Sequence, residues 1–270
     1  MTIAAQAQAV APQTQRGSGR RQPVATPPVS ILMYHQVGTF VSPARHRATY
    51  CHVRRFEAQM AYLHRFGYQV LSLSHAMEGL FGSGRLSPRS VVLTFDDGYQ
   101  NFYDYALPVL DHYGFPATVF AVADRLGGEA DWLEPAAAQS RLMDAPTLRD
   151  LARHGVEVGS HSRTHPRLSR LGPAEVADEV LNSKSVLEEA LGGEVRHFCY
   201  PYGDFNEAVR EAVEAAEYAG ALTCIRGAAN AADNAFEVPR KAISYGDSLM
   251  GYFWKLHLKH TRKAGRTSPS

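Results

Sequence analysis

The chain of 270 residues is long enough for one domain of barrel or α/β type with a sizeable hydrophobic core. Lys and Arg total 28 against 27 Asp and Glu, so no overall electric field favours binding to nucleic acid or to an acidic polymer. Binding and catalysis must therefore come from local groups of side chains.

The first 28 residues are predicted to be a disordered tail. Gln residues interrupt its apolar stretch and the arginines follow that stretch, which is the wrong order for a secretory signal. Cys51, Cys199 and Cys224 are too few and too dispersed for a set of disulfides or a metal cluster, and reduced thiols favour the cytosol. No apolar run reaches the roughly 18 residues that a membrane-spanning helix needs. We therefore expect a cytoplasmic protein.

Strand-like and helix-like segments alternate from residue 29 onward. The apolar run at 29–34 predicts a buried strand, and the next segment places Phe56, Met60 and Leu63 on one helical face. Asn206 is predicted to cap the helix that follows it. Further predicted strands are 68–73, 90–95, 117–122, 156–160, 197–200 and 221–225, and further predicted helices are 103–114, 145–155 and 173–193.

This alternation predicts βαβ units and a mainly parallel sheet. A doubly wound open sheet fits the pattern, but we favour a distorted (β/α) barrel. The reason is that the candidate functional residues all come directly after predicted strands, and such barrels place their chemistry at the carboxyl ends of the strands.

Two pairs of polar residues follow predicted strands. Asp96 and Asp97 come after the run at 90–95, and His161, with His165 four residues on, comes after the run at 156–160. Two imidazoles and one carboxylate are a common ligand set for a catalytic zinc ion, and the second carboxylate can take the proton of a water molecule. Alone, the first pair is more often a turn or helix cap and the second a surface or core pair. Together they indicate a metal-dependent hydrolase.

The same residues carry a family resemblance. TFDDGY at 94–99 and HSRTHP at 161–166 resemble the first two motifs of the polysaccharide deacetylase family, also called carbohydrate esterase family 4 or the NodB-homology domain. FCYPYGDFN at 198–206 is similar to the third motif, and the resemblance spans roughly residues 29–245. It implies a distorted barrel with fewer than eight regular strands.

The resemblance also implies roles for the four residues. Asp96 is expected to be the general base, and Asp97, His161 and His165 are expected to bind one divalent metal ion. We expect zinc, although oxygen and imidazole ligands do not choose sharply among zinc, cobalt, nickel and iron.

The third motif departs from the family pattern. The arginine that normally stands two residues before the proline and holds the base is replaced by Cys199. Arg240 is our candidate replacement, because a guanidinium can bind a carboxylate through two hydrogen bonds. The alternative is a surface arginine at the start of a strand. Tyr202 matches the tyrosine whose backbone N–H helps to form the oxyanion hole, or else it packs in a turn.

His35 follows the first predicted strand. ILMYHQVG at 31–38 resembles the beginning of the poly-N-acetylglucosamine deacetylase branch, in which a permuted motif order puts the acid histidine first. The resemblance implies that His35 is the general acid that protonates the departing amine. We expect it to face the metal from the opposite side to Asp96. A histidine that ends a strand is otherwise often a core residue.

Two peripheral segments allow more than one interpretation. In the long connection at 125–145, Trp132 can stack on a sugar face or close the edge of the barrel. The segment at 249–263 mixes Phe253 and Trp254 with basic residues, so it can lie on an anionic membrane surface. A terminal helix packed on the domain, followed by a solvated tail, is the more common arrangement.

We therefore expect a tail at 1–28, a catalytic domain at 29–248 and a basic C-terminal helix and tail at 249–270. The expected reaction is metal-dependent hydrolysis of the acetamide of N-acetylated amino sugars, in a polysaccharide or a lipid-linked glycan precursor. It releases acetate and is expected in exopolysaccharide biosynthesis, at the inner face of the membrane. The alternatives are an O-acetyl ester or a small cyclic amide as substrate, and a non-catalytic carbohydrate-binding relative. Neither nucleic acid nor an obligate protein partner is expected.

Overall fold

The computed structural model describes residues 26–40, 47–132 and 141–258. Most of the predicted N-terminal tail lies outside the described residues, as do residues 133–140 of the long connection and 259–270 of the basic C-terminal segment. The division into tail, catalytic domain and C-terminal segment therefore stays a prediction.

Parallel strands close into a barrel, as the sequence predicts. In the described part of the chain the strands are β1 (Ser30–Tyr34), β2 (Gln36–Gly38), β3 (Tyr50–His52), β4 (Gln69–Leu71), β5 (Ser90–Phe95), β6 (Ala117–Ala121), β7 (Val156–Ser160), β8 (His197–Cys199), β9 (Gly220–Arg226) and β10 (Val238–Ala242). Around the barrel the order is β1, β10, β9, β8, β7, β6 and β5. The ring closes because β1 pairs in parallel with β5 on one edge and with β10 on the other.

The barrel is distorted rather than regular. The short strand β4 pairs with the first half of β5, whereas β6 pairs with Thr94 and Phe95 farther along the same strand. Strands β2 and β3 form a separate parallel pair. All six residues of β5 are buried, as expected for a strand that is covered on both faces. The prediction of a distorted (β/α) barrel with fewer than eight regular strands is confirmed.

Helices surround the barrel. In the described residues they are α1 (Val53–Arg65), α2 (Leu73–Phe81), α3 (Leu107–Tyr113), α4 (Ala145–Leu151), α5 (Pro173–Ala177), α6 (Ser183–Leu191), α7 (Glu207–Ala215) and α8 (Leu249–His257). Phe56, Met60 and Leu63 of α1 are buried, and the Asn206 side chain caps α7 by accepting from the N–H of Val209, both as predicted.

Two predicted helices are less regular than expected. A π-helical turn at Phe102–Ala106 precedes α3, and another at Asp178–Asn182 separates α5 from α6. The apolar spacing of the sequence does not reveal these turns, because Val176 and Val180 are spaced i, i+4, as they also would be in an ordinary α-helix. Turns of this kind are often found near functional sites.

The C-terminal helix α8 packs on the barrel through one face. Tyr252 and Leu256 are buried, whereas the opposite face leaves large apolar side chains 39–67% exposed: Leu249, Met250, Phe253, Trp254 and Leu258. None of the helices in the part of the chain that the structure describes has the length and apolar character needed to cross a bilayer.

Candidate active site

The predicted site residues converge on one rim of the barrel. Because the strands are parallel, their carboxyl ends meet at the same rim. Strand β5 delivers Asp96 and Asp97, β7 delivers His161, and β1 delivers His35. Arg240 lies within β10, with its side chain fully buried.

Asp97, His161 and His165 form a compact buried cluster. The Nε2 atoms of both histidines lie 3.3 Å from the same carboxylate oxygen of Asp97. Burial alone would raise the pKa of Asp97, but hydrogen bonds from the two histidines hold that pKa well below its usual range. The pKa of His165 is lowered by burial. The pKa of His161 is raised, because its contacts with Cys199 and Asp97 outweigh the effect of burial.

The backbone of this cluster is unusual. Asp97, Ser162 and His165 have positive φ angles of 74°, 65° and 68°, and Gly98 follows Asp97 with φ 75°. Residues other than glycine rarely adopt this left-handed backbone conformation, and its energetic cost is tolerated mainly at sites where the surroundings enforce it. Here the conformation turns the Asp97 and His165 side chains toward a common point.

This cluster fits a divalent cation. Its three ligand atoms lie within 4.8 Å of one another. The Nδ1 atom of His161 lies 2.7 Å from the Cys199 carbonyl oxygen, so a proton on Nδ1 is donated to that carbonyl and Nε2 is left free to bind a metal. The Nδ1 atom of His165 is buried without a hydrogen-bond partner among the described residues. One carboxylate and two imidazoles are the donor set of many catalytic zinc sites.

Asp96 forms a bidentate ion pair with Arg240. The two guanidinium nitrogens donate to the two carboxylate oxygens of Asp96 at 2.7 and 2.8 Å. Burial would raise the pKa of Asp96, but the charge and hydrogen bonds of Arg240 lower it instead. The contact that the sequence predicts between these residues is therefore present, although Arg240 reaches Asp96 from β10 rather than from the third motif.

The Arg240 side chain has acceptors for each of its donor nitrogens. Its Nε donates to the carbonyl of Thr223 at 3.0 Å, and Nη1 also donates to the hydroxyl of Thr94 at 3.1 Å. That hydroxyl in turn donates to the Leu32 carbonyl at 2.9 Å. Sequence reasoning missed Thr94, although one polar residue inside the apolar strand VVLTF is a recognisable signal.

Cys199 occupies the space beside this ion pair. Its sulfur lies 3.0 Å from Nη2 of Arg240 and 3.7 Å from Asp96. Asp96, His161 and Cys199 form a second group close enough to share a metal. The guanidinium already occupies both oxygens of Asp96, and its positive charge disfavours a cation at that point. The first cluster is therefore the better metal site.

His35 lies beside Asp96 rather than across from it. Its Nε2 is 4.0 Å from the Asp96 carboxylate, and its side chain is 17% exposed. The expectation that His35 faces the metal from the opposite side to Asp96 is therefore wrong. The physical reason is that β1 and β5 are paired neighbours, with Tyr34 opposite Phe95, so the residues after them emerge side by side.

Aromatic side chains enclose His165. Trp132 stacks on the imidazole with ring centroids 4.2 Å apart, and Tyr202 lies on it at 4.6 Å. Tyr202 has a positive φ of 59° and is 44% exposed, with the guanidinium of Arg167 4.4 Å above its ring. Trp132 thus contacts a candidate ligand directly, an arrangement that neither sequence-based interpretation of this residue anticipates.

Known proteins resemble this chain in sequence and in fold. The family model of polysaccharide deacetylases matches residues 83–221. The protein YxkH of Bacillus subtilis strain 168, whose name places it among polysaccharide deacetylases, is 30% identical over 218 residues, which cover 81% of this chain and 72% of YxkH.

A second relative is the poly-β-1,6-N-acetyl-D-glucosamine N-deacetylase of Escherichia coli K12, 27% identical over 71% of this chain and only 33% of the relative. The chain therefore spans about a third of that enzyme. The Streptococcus pyogenes deacetylase PplD, solved in complex with acetate, superimposes with a TM-score of 0.73, covering 87% of this chain and 99% of PplD at 24% identity. This superposition supports the fold.

The family match covers all three motifs, and YxkH aligns over most of both chains. The chain belongs to the polysaccharide deacetylase family, whose members are hydrolases that act on the acetyl groups of polysaccharides.

Proposed function

We propose that this protein is a metal-dependent N-deacetylase. Its substrate is an N-acetylated amino sugar in a polysaccharide or in a lipid-linked glycan precursor, and its products are a free amine and acetate. The relatives include a deacetylase of poly-β-1,6-N-acetyl-D-glucosamine and chitooligosaccharide deacetylases. Zinc is the proposed metal.

One observation carries the proposal. Asp96 is a buried carboxylate paired with the guanidinium of Arg240. It lies directly beside the carboxylate of Asp97, which converges with the imidazoles of His161 and His165 on one point. Two adjacent carboxylates can take different roles only if their environments differ. Here Asp97 faces the two imidazoles and Asp96 faces Arg240, so the two environments differ as this chemistry requires.

The residues of the chain supply the proton transfers. A divalent cation held by Asp97, His161 and His165 would polarise the acetamide carbonyl and lower the pKa of a water ligand. Asp96, kept ionised by Arg240, accepts a proton from the attacking water. The backbone N–H of Tyr202 donates to the oxygen that becomes negative. His35 donates a proton to the nitrogen as the carbon–nitrogen bond breaks.

The neighbouring positions of Asp96 and His35 affect this mechanism. With 4.0 Å between His35 Nε2 and the Asp96 carboxylate, the two groups are separated by little more than a hydrogen-bond length. A proton that Asp96 takes from water therefore needs to travel only a short distance to reach the departing amine. We place general acid and general base on the same side of the site.

Two alternatives use the same residues. An O-acetyl ester or a small cyclic amide could be hydrolysed by the same groups, but an alcohol leaves more easily than an amine and has less need of His35 as acid. A non-catalytic carbohydrate-binding relative would not need a buried ion pair on Asp96. The intact set of Asp96, Arg240 and His35 therefore favours hydrolysis of an amide.

Acetate release decides between these functions. Purified protein is incubated with oligomers of β-1,6- and β-1,4-linked N-acetylglucosamine and with an aryl acetate ester, with and without a chelator. We expect acetate from at least one oligomer, loss of activity with chelator and recovery with zinc. Asp96→Asn should lose most of its activity and still bind metal, whereas the exposed Asp131→Asn should behave as wild type. An active chelated protein would refute metal dependence, and hydrolysis of the ester alone would favour the esterase.

We further propose that the enzyme acts in the cytoplasm, at the inner face of the membrane, with α8 as its contact. The exposed face of α8 carries Phe253 and Trp254, and residues 248–270 contain five Lys or Arg and no acidic residue. Aromatic and basic side chains together favour an anionic lipid surface. Sedimentation with phosphatidylglycerol vesicles should exceed that with neutral vesicles and should fall in Phe253→Ser/Trp254→Ser. Equal sedimentation of both proteins would refute this contact, and self-association would point to a second copy instead.

A further inference from the structure

The loop between the two histidine ligands is held by a buried carboxylate. Glu179 is 8% exposed, and one of its oxygens accepts the backbone N–H groups of Arg163 and Thr164, each at 2.9 Å. Its other oxygen accepts the hydroxyl of Thr164. Arg163 and Thr164 stand between His161 and His165, so Glu179 contacts the middle of the segment that carries both ligands.

Three further backbone groups of this loop have partners other than Glu179. The carbonyl oxygens of Ser162 and Arg163 accept the N–H groups of Ala123 and Asp124 at 3.1 and 2.9 Å. The N–H of His165 donates to the Ser162 hydroxyl at 3.0 Å. Glu179 is the acceptor of the Arg163 and Thr164 N–H groups, and a buried N–H without an acceptor is strongly unfavourable.

The position of Glu179 depends on a helical irregularity. It is the second residue of the π-helical turn at Asp178–Asn182. The preceding Asp178 binds the guanidinium of Arg163 at 2.5 Å, and Asp124 binds the same guanidinium at 2.6 Å. Two consecutive carboxylates of one turn therefore hold the side chain and the backbone of the same loop residue.

The loop needs this support because its conformation is strained. Ser162 and His165 both have positive φ angles, a conformation that a free loop of these residues would leave. If the loop relaxed at either position, the His165 imidazole would turn away from Asp97. Tight metal binding requires ligands that are already oriented.

We infer that Glu179 is a positioning residue of the metal site, which acts by fixing the loop from His161 to His165 in its ligand-binding conformation. This inference rests on the proposed metal-dependent function. Glu179 does not contact the ligand atoms, and it acts through hydrogen bonds to the backbone of Arg163 and Thr164.

Zinc affinity measured by competition with a chelating indicator tests the inference. Glu179→Ala should bind zinc about 10–100-fold more weakly than wild type, as expected when an outer-shell partner is lost. Glu179→Gln should stay within about threefold, because its amide oxygen can accept both N–H groups while its NH2 group donates to Thr164. A Gln variant as weak as the Ala variant would mean that charge, rather than positioning, matters, and would overturn the inference.

A matched control is available on the neighbouring helix. Glu188 of α6 also binds a backbone N–H, that of Val195 at 3.0 Å, but it lies away from the metal cluster. Glu188→Ala should keep the wild-type zinc affinity. If it weakens zinc binding as much as Glu179→Ala, the effect is a general loss of stability and the inference is wrong.

Hydrogen exchange of the metal-free protein separates this inference from the proposed function. The amide protons of Arg163 and Thr164 should exchange slowly in the wild type and at least tenfold faster in Glu179→Ala. The exchange rates of amide protons in the rest of the barrel should stay unchanged. If the wild type binds no zinc, the proposed function fails and the exchange result still decides the role of Glu179. Should Glu179→Ala not fold, Glu179→Asp withdraws the carboxylate by one methylene and should change both readouts in the same direction. Wild-type affinity and slow exchange in these variants would overturn the inference.

Discussion

Removal of the Arg240 guanidinium should destabilise the whole fold through a single carboxylate. Arg240→Met keeps most of the buried aliphatic stem and removes the positive charge. Asp96 then remains in a site where its side chain is 3% exposed, without the two charge-assisted hydrogen bonds at 2.7 and 2.8 Å. The acceptors on Thr94 and Thr223 also lose a donor.

The expected loss is large on the scale of domain stability. Breaking a buried ion pair by removing one partner costs about 3–5 kcal/mol. His35, with its Nε2 4.0 Å from Asp96, offers only partial compensation. We therefore expect the free energy of unfolding to fall by about 4 kcal/mol, out of a typical total of about 5–15 kcal/mol.

A double-mutant cycle shows whether the uncompensated charge is the cause. Urea unfolding at neutral pH is compared for the wild type, Arg240→Met, Asp96→Asn and the double variant. The double variant should lie only about 2 kcal/mol below the wild type, because a neutral amide is much less costly to bury than an unpaired carboxylate.

The loss should also depend on pH. In the wild type the pKa of Asp96 is lowered, so its contribution to stability is present above the pKa of the unfolded chain and is lost as the pH falls through the folded pKa. Without Arg240, burial outweighs the remaining attraction of His35 and His161 and raises that pKa, so the charged form is disfavoured at neutral pH. The stability deficit of Arg240→Met should therefore be greatest near pH 7 and should shrink on acidification.

An additive cycle would refute this reasoning, as would a deficit that does not change with pH. Arg153→Met serves as the control. Arg153 donates to Asp150 at 2.7 Å, but its side chain is 80% exposed, so its removal should leave the free energy of unfolding nearly unchanged.

Four further predictions each concern a single substitution. Asp96→Asn should keep stoichiometric metal and reduce turnover by roughly 10²-fold or more, the loss expected for a general base; near-normal turnover would move the base elsewhere. His161→Ala should abolish stoichiometric zinc in metal analysis, and a full equivalent in the purified variant would contradict the ligand assignment. His35→Ala should reduce hydrolysis of an N-acetyl substrate far more than that of an aryl acetate ester, whose leaving group needs no proton, and equal losses would indicate a structural histidine. Burial lowers the pKa of His197 to about 4. The free energy of unfolding of the wild type should therefore fall by about 3 kcal/mol as the pH falls from about 6.5 to 4. Urea unfolding of His197→Gln at several pH values should not show this decrease.

Much of the site could be predicted because its residues end strands. The apolar runs before Asp96 and His161 predict strands, and parallel strands bring their ends to one rim. The contact between Arg240 and Asp96 was also predicted, because a base at this position needs a cation and Cys199 cannot supply one. The position of His35 beside Asp96 could not be predicted, because it depends on which strands are neighbours in the barrel.

Glu179 shows why the rest was harder to predict. A glutamate within a helical segment is usually read as solvent-facing. The available signal was that Glu179 stands three residues after Val176 and one before Val180, which places it on the buried side of the helix. A charged residue on that face suggests a buried partner, but the partner lies in another loop and its identity depends on the fold. The π-helical turn that aims the carboxylate has no clear signature in the sequence.

The closure of the barrel determines when the site can form during synthesis. Strand β1 is made early, but its two neighbours in the ring are β5 and β10. Asp96 and Arg240 flank β1 from these two sides and are separated by 144 positions in the chain. On a ribosome, the first strand must wait for almost the whole domain to emerge before its second edge is covered. Until residue 240 is available, the carboxylate of Asp96 has no cation beside it. A nascent chain that stops short of β10 therefore has an open barrel and an incomplete catalytic centre at the same time, so assembly of the fold and acquisition of activity are one event.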